Sequence, residues 1–216
     1  MKHNFSPQQE NLLESFLSNY NISFNQETFE QLYLYADLVL EWNSKTNLIS
    51  KNDAPKFISR HITDSLVPYI FLSKELKLKN NSKWADMGSG AGCPVIPLSI
   101  VLPDITFYAV EPRNKRVFFL NEVKQSLNLK NITVIGKRFE TSGLTDLDFI
   151  SCRALSTFEN DWKRAKNNLN KNGLFITLKS VENISHLRNH SDIKIIEYRL
   201  PEEQQHYAIV IRGIHD

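Results

Sequence analysis

The feature of this sequence that most constrains its fold is a glycine-rich turn, Gly88-Ser89-Gly90-Ala91-Gly92, which follows a short apolar segment. Residues 84–87 have the pattern of a buried strand, and Pro94 suits the opening of a helix. Glycine is needed where the backbone adopts a positive φ or must approach a ligand closely. A strand, a glycine turn and a helix in this order are typical of the ligand-binding unit of a doubly wound α/β sheet.

Strands and helices are predicted to alternate after this turn. Apolar segments predict six more strands, at 105–110, 132–135, 148–152, 174–178, 193–198 and 207–211. Helices are predicted at 94–100, 115–127 and 158–168, with Asn172-Gly173 closing the last one. This alternation indicates a mostly parallel sheet, and right-handed crossovers place the carboxyl ends of its strands, and hence the ligand, at one edge.

The first third of the chain has the pattern of helices instead. Ser6-Pro7-Gln8-Gln9 resembles a capping box and predicts a helix that reaches Tyr20. A second helix is predicted at 26–43, and a third begins near Asp53. We therefore expect a helical extension, residues 1–80, packed on an α/β core, residues 81–216, within one compact domain.

Composition narrows the class of protein. The 216 residues include 41% hydrophobic ones, enough for a sizeable core, and a net charge of +2, too small to indicate nucleic-acid binding by itself. The N-terminal residues lack a signal-peptide pattern, and no apolar run approaches the ~18 residues of a membrane span. Cys93 and Cys152 cannot alone form a disulfide framework or a zinc site. We expect a cytoplasmic protein and exclude secreted, membrane, collagen-like and zinc-finger classes.

The spacing of the glycines bears on the cofactor. The dinucleotide pattern G-x-G-x-x-G would need glycine at position 93, where this chain has Cys93. G-x-G-x-G with Asp86 two residues before it fits S-adenosylmethionine better, because that cofactor has no pyrophosphate. Glu111 ends the second predicted strand, about 20 residues after the turn, where an acid can accept both ribose hydroxyls. Asp86, Gly88, Gly90 and Glu111 are thus candidate cofactor-binding residues; the alternative is an ordinary tight turn and a surface glutamate.

A wider set of motifs accompanies the turn. They are Glu41-Trp42-Asn43-Ser44-Lys45-Thr46-Asn47-Leu48, Arg60-His61-Ile62-Thr63-Asp64-Ser65-Leu66, Gly92-Cys93-Pro94-Val95-Ile96-Pro97-Leu98, Lys115-Arg116-Val117-Phe118-Phe119-Leu120, Ser151-Cys152-Arg153-Ala154 and Leu178-Lys179. Over residues 30–180, this combination resembles the ribosomal RNA small subunit methyltransferase G family, also called glucose-inhibited division protein B.

The resemblance implies a class I methyltransferase fold, which is Rossmann-like with a mostly parallel seven-stranded sheet and an antiparallel last strand. It also implies methyl transfer from S-adenosylmethionine to N7 of one guanosine in 16S rRNA of the 30S subunit. We further expect a monomer and no metal. The cofactor contacts that it implies are Gly88, Cys93, Glu111, Phe139, Glu140 and Arg153. The chain departs from the family pattern at Cys93, Val95 and Glu111, and at Ser180, which replaces a glycine after Lys179.

Direct displacement at guanine N7 needs no general base, since N7 carries a lone pair and no proton; placing the reactants in line is the main requirement. Arg153 ends the fourth predicted strand, where it can orient the cofactor carboxylate, guanine O6 or a phosphate, or form an ordinary ion pair. His61 and Asp64 are one helical turn apart and are expected to share a face. They form either a substrate-side wall of the catalytic site above the cofactor, where Asp64 would help the positive charge that develops on the methylated base, or a structural feature. The structural alternatives are a helix cap and a buried hydrogen-bonded pair. Phe139 is a candidate for stacking on the adenine.

Basic residues recur near the predicted active edge. Candidates for RNA binding are Lys45, Arg60, Arg113, Lys115, Arg116 and Arg138. Gathered on one rim they would bind phosphates, whereas spread over solvated faces they would have no such role. Three other functions stay open at this point: a methyltransferase of the same fold acting on a small molecule, a non-catalytic RNA or ribosome-assembly module, and a nicotinamide oxidoreductase, against which Cys93 argues.

Overall fold

A computed structural model describes residues 5–75, 78–153 and 155–213 of the chain. Residues 1–4, from which the absence of a signal peptide is predicted, and Ala154 of the predicted Ser151–Ala154 motif lie outside the described residues. The proposed division into an extension, residues 1–80, and a core, residues 81–216, stays a prediction.

Three α-helices confirm the helical character of the first third. They are α1 (Pro7–Ser18), α2 (Gln26–Thr46) and α3 (Thr63–Glu75). A 3₁₀ turn, Ala54–Lys56, and a π-helical turn, Phe57–Ile62, lead directly into α3. The Thr63 hydroxyl donates to the carbonyl of Ile58, five residues back (3.0 Å), which fits the wide π turn.

The predicted capping box at the start of α1 is wrong. Among the described residues, Ser6 makes no side-chain capping hydrogen bond. The buried side chain of Gln9 instead accepts a hydrogen bond from the backbone N–H of Ser59 in the π turn (3.1 Å). A tertiary contact has taken the side chain that a capping box would use, and it ties α1 to the π turn.

Seven strands form one sheet of order β3-β2-β1-β4-β5-β7-β6. They are β1 (Lys83–Met87), β2 (Thr106–Val110), β3 (Ile132–Ile135), β4 (Leu147–Arg153), β5 (Leu169–Ser180), β6 (Ile193–Arg199) and β7 (His206–Gly213). The pairs among β1 to β5 are parallel, and β7 runs antiparallel to both β5 and β6. The predicted mostly parallel sheet with an antiparallel last strand is confirmed.

Helices cross between the parallel strands. They are α4 (Val95–Val101), α5 (Asn114–Ser126) and α6 (Phe158–Ala165), with 3₁₀ turns at Phe139–Thr141, Lys166–Asn168 and Val181–Asn189. The prediction that Asn172-Gly173 closes α6 is wrong, because both residues already belong to β5. Gly173 is required there, since a Cβ on it would lie 2.8 Å from the carbonyl oxygen of Leu147.

Apolar cores cover both faces of the sheet. Residues of the N-terminal helices, such as Leu13 and Leu32, share one core with Trp84 and Phe107 of the sheet. The other core lies under α6 and contains Met87, among others. This packing leaves the carboxyl ends of the strands as the edge where loops meet. Within the described ranges, no helix is both long and apolar enough to cross a membrane.

Candidate active site

The glycine turn joins β1 to α4 and is fastened to the end of β2. Gly88, Gly90 and Gly92 have φ values of +77°, +58° and +99°. The N–H groups of Gly88 and Ser89 both donate to the carbonyl of Val110, at 2.9 and 3.1 Å. A Cβ on Gly88 would lie 2.9 Å from Cδ1 of Leu155, which follows β4. The positive φ therefore favours glycine at position 88, and the Leu155 side chain would have to shift to admit a Cβ there.

Asp86 lies in β1, two residues before the turn, and is 1% exposed. Its Oδ1 accepts a hydrogen bond from the Ser151 hydroxyl (2.8 Å), which itself accepts one from the Trp84 indole N–H (3.0 Å). Burial raises the pKa of Asp86 to about 7. Its Oδ2 is buried without a hydrogen-bond partner among the described residues, so this oxygen is a candidate acceptor for a ligand.

Glu111, the residue after β2, is buried against the turn. Its Oε2 accepts the N–H of Gly90 (2.9 Å) and its Oε1 accepts the N–H of Arg113 (2.9 Å). The Arg116 guanidinium lies 3.8 Å from Oε2. Each carboxylate oxygen keeps a second lone pair, so Glu111 can brace the turn and still accept hydrogen bonds from a ligand.

Arg153, at the end of β4, is held by two side chains from the N-terminal part of the chain. Its Nε lies 2.6 Å from Oδ2 of Asp64, and its Nη1 lies 2.7 Å from Nδ1 of His61. Tyr198, on β6, donates its hydroxyl proton to the other oxygen of Asp64. The prediction that His61 and Asp64 share a face is confirmed, and what they share is a contact with Arg153.

This contact fixes the protonation state of His61. A guanidinium can only donate, so Nδ1 of His61 must accept, and the neutral ring carries its proton on Nε2. Burial, followed by the charge of Arg153, lowers the pKa of His61 to about 3. Its Nε2 lies 3.5 Å from Oδ1 of Asp53 but makes no hydrogen bond with any described residue. His61 is therefore a neutral positioning group in this arrangement rather than a proton acceptor.

The other predicted cofactor residues, Cys93, Phe139 and Glu140, lie in three different environments. Cys93 lies at the turn, with its sulfur 3.3 Å from the hydroxyl of Tyr35, and burial raises the pKa of its thiol. Phe139 is buried in the same apolar core as Met87. The Glu140 carboxylate is bonded to the Arg164 guanidinium, which holds it towards α6.

The predicted RNA-binding residues divide into exposed and engaged ones. Lys45, Arg113, Lys115 and Arg138 are exposed, and the Arg116 side chain is 30% exposed. Arg113 and Arg138 follow the parallel strands β2 and β3, so they lie at the same edge of the sheet. Arg60 is held against the fold, since it is paired with Asp53 (2.6 Å) and lies 3.4 Å from the hydroxyl of Tyr207. Lys45 is exposed but paired within its own helix, with Glu41 (3.1 Å).

Some residues around Arg153 are not indicated by any local sequence pattern. Tyr198 is the one buried residue of β6, and Asp53 pairs with Arg60 instead of capping a helix. Asp161 and Lys179 form a buried ion pair (3.0 Å) that bonds both the N–H and the carbonyl of Ser156. The only signal for the pair in the sequence is that Lys179 belongs to the Leu178-Lys179 motif; its partner could not be found from spacing.

A cavity of about 640 Å³ lies at the opposite edge of the sheet, lined by Ser82, Asp148 and Asn172 among others. The Asp148 carboxylate there is already bonded to the N–H of Lys83 and to the amide of Asn170. In the described part of the chain, no three histidine, cysteine, aspartate or glutamate residues lie close enough together to hold a metal ion. The buried polar groups described above are therefore the better candidate site.

Solved structures share this fold. A SAM-dependent methyltransferase from Aquifex aeolicus has a TM-score of 0.55 at 20% identity, with 76% of this chain and 96% of that one covered. Precorrin-6y C5,15-methyltransferase from Geobacter metallireducens has a TM-score of 0.53 at 16% identity, with 79% and 92% covered. At these identities the likeness shows the class I methyltransferase fold alone.

Sequence comparison is more specific. The family model described as rRNA small subunit methyltransferase G matches residues 28–211. The protein called ribosomal RNA small subunit methyltransferase G from Staphylococcus saprophyticus is 30% identical over 210 residues, which cover 90% of this chain and 85% of that protein. A protein of the same name from a Shewanella species is 32% identical, with 93% and 97% covered. The chain therefore belongs to the ribosomal RNA small subunit methyltransferase G family.

Proposed function

We propose that the chain transfers a methyl group from S-adenosylmethionine to N7 of one guanosine in 16S rRNA of the small ribosomal subunit. The observation that carries the proposal, beside family membership, is the pairing of a glycine turn with two buried acids. Oδ2 of Asp86, in β1, has no hydrogen-bond partner among the described residues, and Glu111 follows the end of the neighbouring β2. A positively charged donor that carries a ribose matches both acids.

The residues present fit this cofactor. Glu111 can accept the ribose hydroxyls while it braces Gly90. An acid in that place disfavours a 2′-phosphate, which agrees with an unphosphorylated ribose. Oδ2 of Asp86 offers an acceptor to a donor group of the ligand. Phe139 and Cys93 line the same edge from the third and first strand ends, and we propose both as cofactor contacts.

Methyl transfer to guanine N7 requires the protein to position the reactants and does not require a general base. When bound, S-adenosylmethionine supplies a sulfonium methyl group that guanine N7 can displace directly. Nδ1 of His61 already accepts from Arg153, so His61 has no free lone pair with which to act as a base. Arg153 is clamped at Nε and Nη1, which leaves Nη2 to orient guanine O6, a phosphate or the cofactor carboxylate. Such positioning can be worth about 7–11 kcal/mol of the barrier.

Asp64 has a second part to play in this scheme. Methylation leaves the guanine ring positively charged, and Asp64 is the carboxylate directly bonded to the arginine over the site. We propose that it offsets the charge of Arg153, so that the substrate side of the site does not repel the cationic product. We also propose that the chain acts as a monomer on the 30S subunit in the cytoplasm, without a metal.

The test incubates the purified chain and labelled S-adenosylmethionine with 30S subunits that lack N7 methylation. Borohydride and aniline treatment followed by reverse transcription should then give one strong stop at a single guanosine in 16S rRNA. Mature 30S subunits and 50S subunits are the matched controls and should gain no label. Label that enters a small-molecule extract, or an exocyclic nitrogen of the rRNA, would contradict the proposal.

A further inference from the structure

Phe118 is the large apolar side chain that stands out on the described surface, at 64% exposure. It lies in the first half of α5, and the next residue, Phe119, is fully buried. An exposed phenylalanine contributes less to folding than a buried one, and most of this ring is accessible to a partner. Single exposed apolar residues are common on protein surfaces, so a role for Phe118 depends on the groups that surround it.

A second aromatic ring supports it from below. The Trp42 indole, on α2, lies 5.6 Å from the Phe118 ring at 39°, and 5.5 Å from the buried Phe119 ring. Phe118 is thus held in place by a ring that is itself anchored in the core. We call Trp42 and Phe118 the aromatic platform.

Cations surround the aromatic platform. Lys115 precedes Phe118 by three residues on α5, and Lys45 follows Trp42 by three on α2, so each faces the same side of its helix as the ring. Arg113 and Lys115 are exposed and form no ion pair with a described residue. Both stand at the N-terminus of α5, whose dipole opposes positive charge. Positive charge at this end of a helix is unfavourable, and an anionic partner would offset it.

The same helix reaches the glycine turn on its other side. The Nη1 of Arg116 would lie 3.6 Å from a Cβ on Gly90. Arg116 and Phe118 are two residues apart, so their side chains lie on different faces of α5, and Lys115 lies between them around the helix axis. A strand of nucleic acid whose target base reaches the cradle would pass Lys115 before its chain reaches the ring.

We propose that the aromatic platform stacks one unpaired base of the substrate RNA, a few nucleotides from the base that is methylated, while Arg113 and Lys115 contact the phosphates between them. The inference rests on the proposed function and names how the same site selects single-stranded RNA. Unpaired bases are the part of RNA that aromatic side chains can stack on, and stacking is tolerant of base identity. The partner is therefore a loop of 16S rRNA rather than a paired stem.

The experiment measures affinity for 30S subunits lacking the modification, across a range of salt concentrations, together with methylation. Phe118→Ala should weaken binding about 10-fold without changing the slope of log affinity against log salt. Phe118→Tyr keeps a stacking ring and should bind within about 2-fold of the parent. Lys115→Ala should instead reduce the slope by about 1. Lys130→Ala, at the other edge of the sheet, is the matched control and should leave both the affinity for 30S subunits and the salt slope unchanged.

The outcomes separate this inference from the function on which it rests. If the parent methylates 30S subunits and Phe118→Ala binds as tightly as the parent, the aromatic platform is excluded and the proposed function stands. Equal losses in Phe118→Ala and Phe118→Tyr would also exclude stacking. If the parent neither binds nor methylates 30S subunits, both proposals fail. Calorimetry with S-adenosylhomocysteine should give the same affinity for all variants, and a loss there in Phe118→Ala would reassign Phe118 to the cofactor.

Discussion

On the β4 side of the glycine turn the charged side chains are buried and paired with one another, whereas on the β2 side most of them face solvent. Arg153 is bonded to Asp64 and His61, and their side chains are 18%, 4% and 13% exposed. Beyond Glu111, by contrast, Arg113 and Lys115 are exposed and form no ion pair with a described residue.

This difference in burial and pairing suits the two sides to different tasks. A buried, mutually bonded set of charges is preorganised, so it can hold a reacting group in one place but tolerates little change. Exposed cations contribute little to stability and can adapt to a long polyanion, with affinity that depends on salt. The β4 side is therefore suited to orienting the reactants, and the β2 side, beyond its buried acid, to recruiting the RNA.

Removing Arg153 should have the largest effect on this contrast. Arg153→Ala leaves Asp64 buried beside Tyr198 without its cation, which should cost about 3–5 kcal/mol of unfolding free energy. Single-turnover methylation should fall by at least about 100-fold. The double variant Arg153→Met with Asp64→Leu removes both charges and should recover most of the stability in denaturant unfolding but not the methylation. Unchanged methylation in Arg153→Ala would show that Arg153 does not orient the reactants.

The pH dependence of stability tests the same side. The folded-state pKa of His61 is lowered from 6.5 to about 3, so its contribution is present above about pH 6.5 and is lost as the pH falls towards 3. His61→Gln keeps an acceptor for Arg153 and removes the titrating ring. The unfolding free energy of the parent minus that of His61→Gln should fall by up to about 1.4 kcal/mol per pH unit below 6.5. A difference that stays constant from pH 7.5 to 4.5 would show that His61 is not held neutral.

Glu111 tests the buried acid of the β2 side. Glu111→Gln replaces a charged acceptor by a neutral amide and should weaken S-adenosylhomocysteine binding about 10-fold in calorimetry. Salt-dependent binding to 30S subunits should be unaffected, because the exposed cations remain. Glu122→Gln on α5 is the control for the lost charge. Equal affinity in Glu111→Gln would remove Glu111 from the cofactor site.

The smallest effect is expected at a single exposed cation. Arg138→Ala should lower affinity for 30S subunits only several-fold at low salt, with a salt slope reduced by about 1. Its unfolding free energy should stay within about 0.5 kcal/mol of the parent, since the side chain is exposed. A stability loss comparable to that of Arg153→Ala would contradict the contrast between the two sides.

Much of the fold is readable from the chain because its signals are local. The alternation of apolar segments placed all seven strands to within a few residues, with β3 matched at both ends and β5 begun too late. The wrong predictions concern residues that contact a segment far away in the sequence. The sequence predicts that Gln9 belongs to a capping box, yet its side-chain oxygen accepts the N–H of Ser59, 50 residues away. It predicts that Gly173 ends a helix, yet this glycine lies in β5 and leaves room for the carbonyl of Leu147.

The site divides in the same way. The glycine turn and Glu111 are recognisable because each follows directly from the end of a strand, and parallel strands bring their ends to one edge. The partners of Arg153 could not be assigned from the sequence, since His61 lies 92 residues before it. Tyr198 could not be found at all, because one buried tyrosine in a strand looks like any other core residue.

The order of the elements, the edge of the sheet where the candidate site lies and the chemical groups available there can be predicted from the amino-acid sequence alone. Periodicity, glycine and chain connectivity are properties of neighbouring residues, and they suffice for those conclusions. The pairing and exposure of individual side chains depend on the folded structure: Arg153 holds His61 as a neutral acceptor, Arg60 is paired with Asp53, and Phe118 is exposed on Trp42. Burial and pairing depend on segments far apart in the chain, and the free energy of a charge is set by those surroundings rather than by its neighbours in sequence.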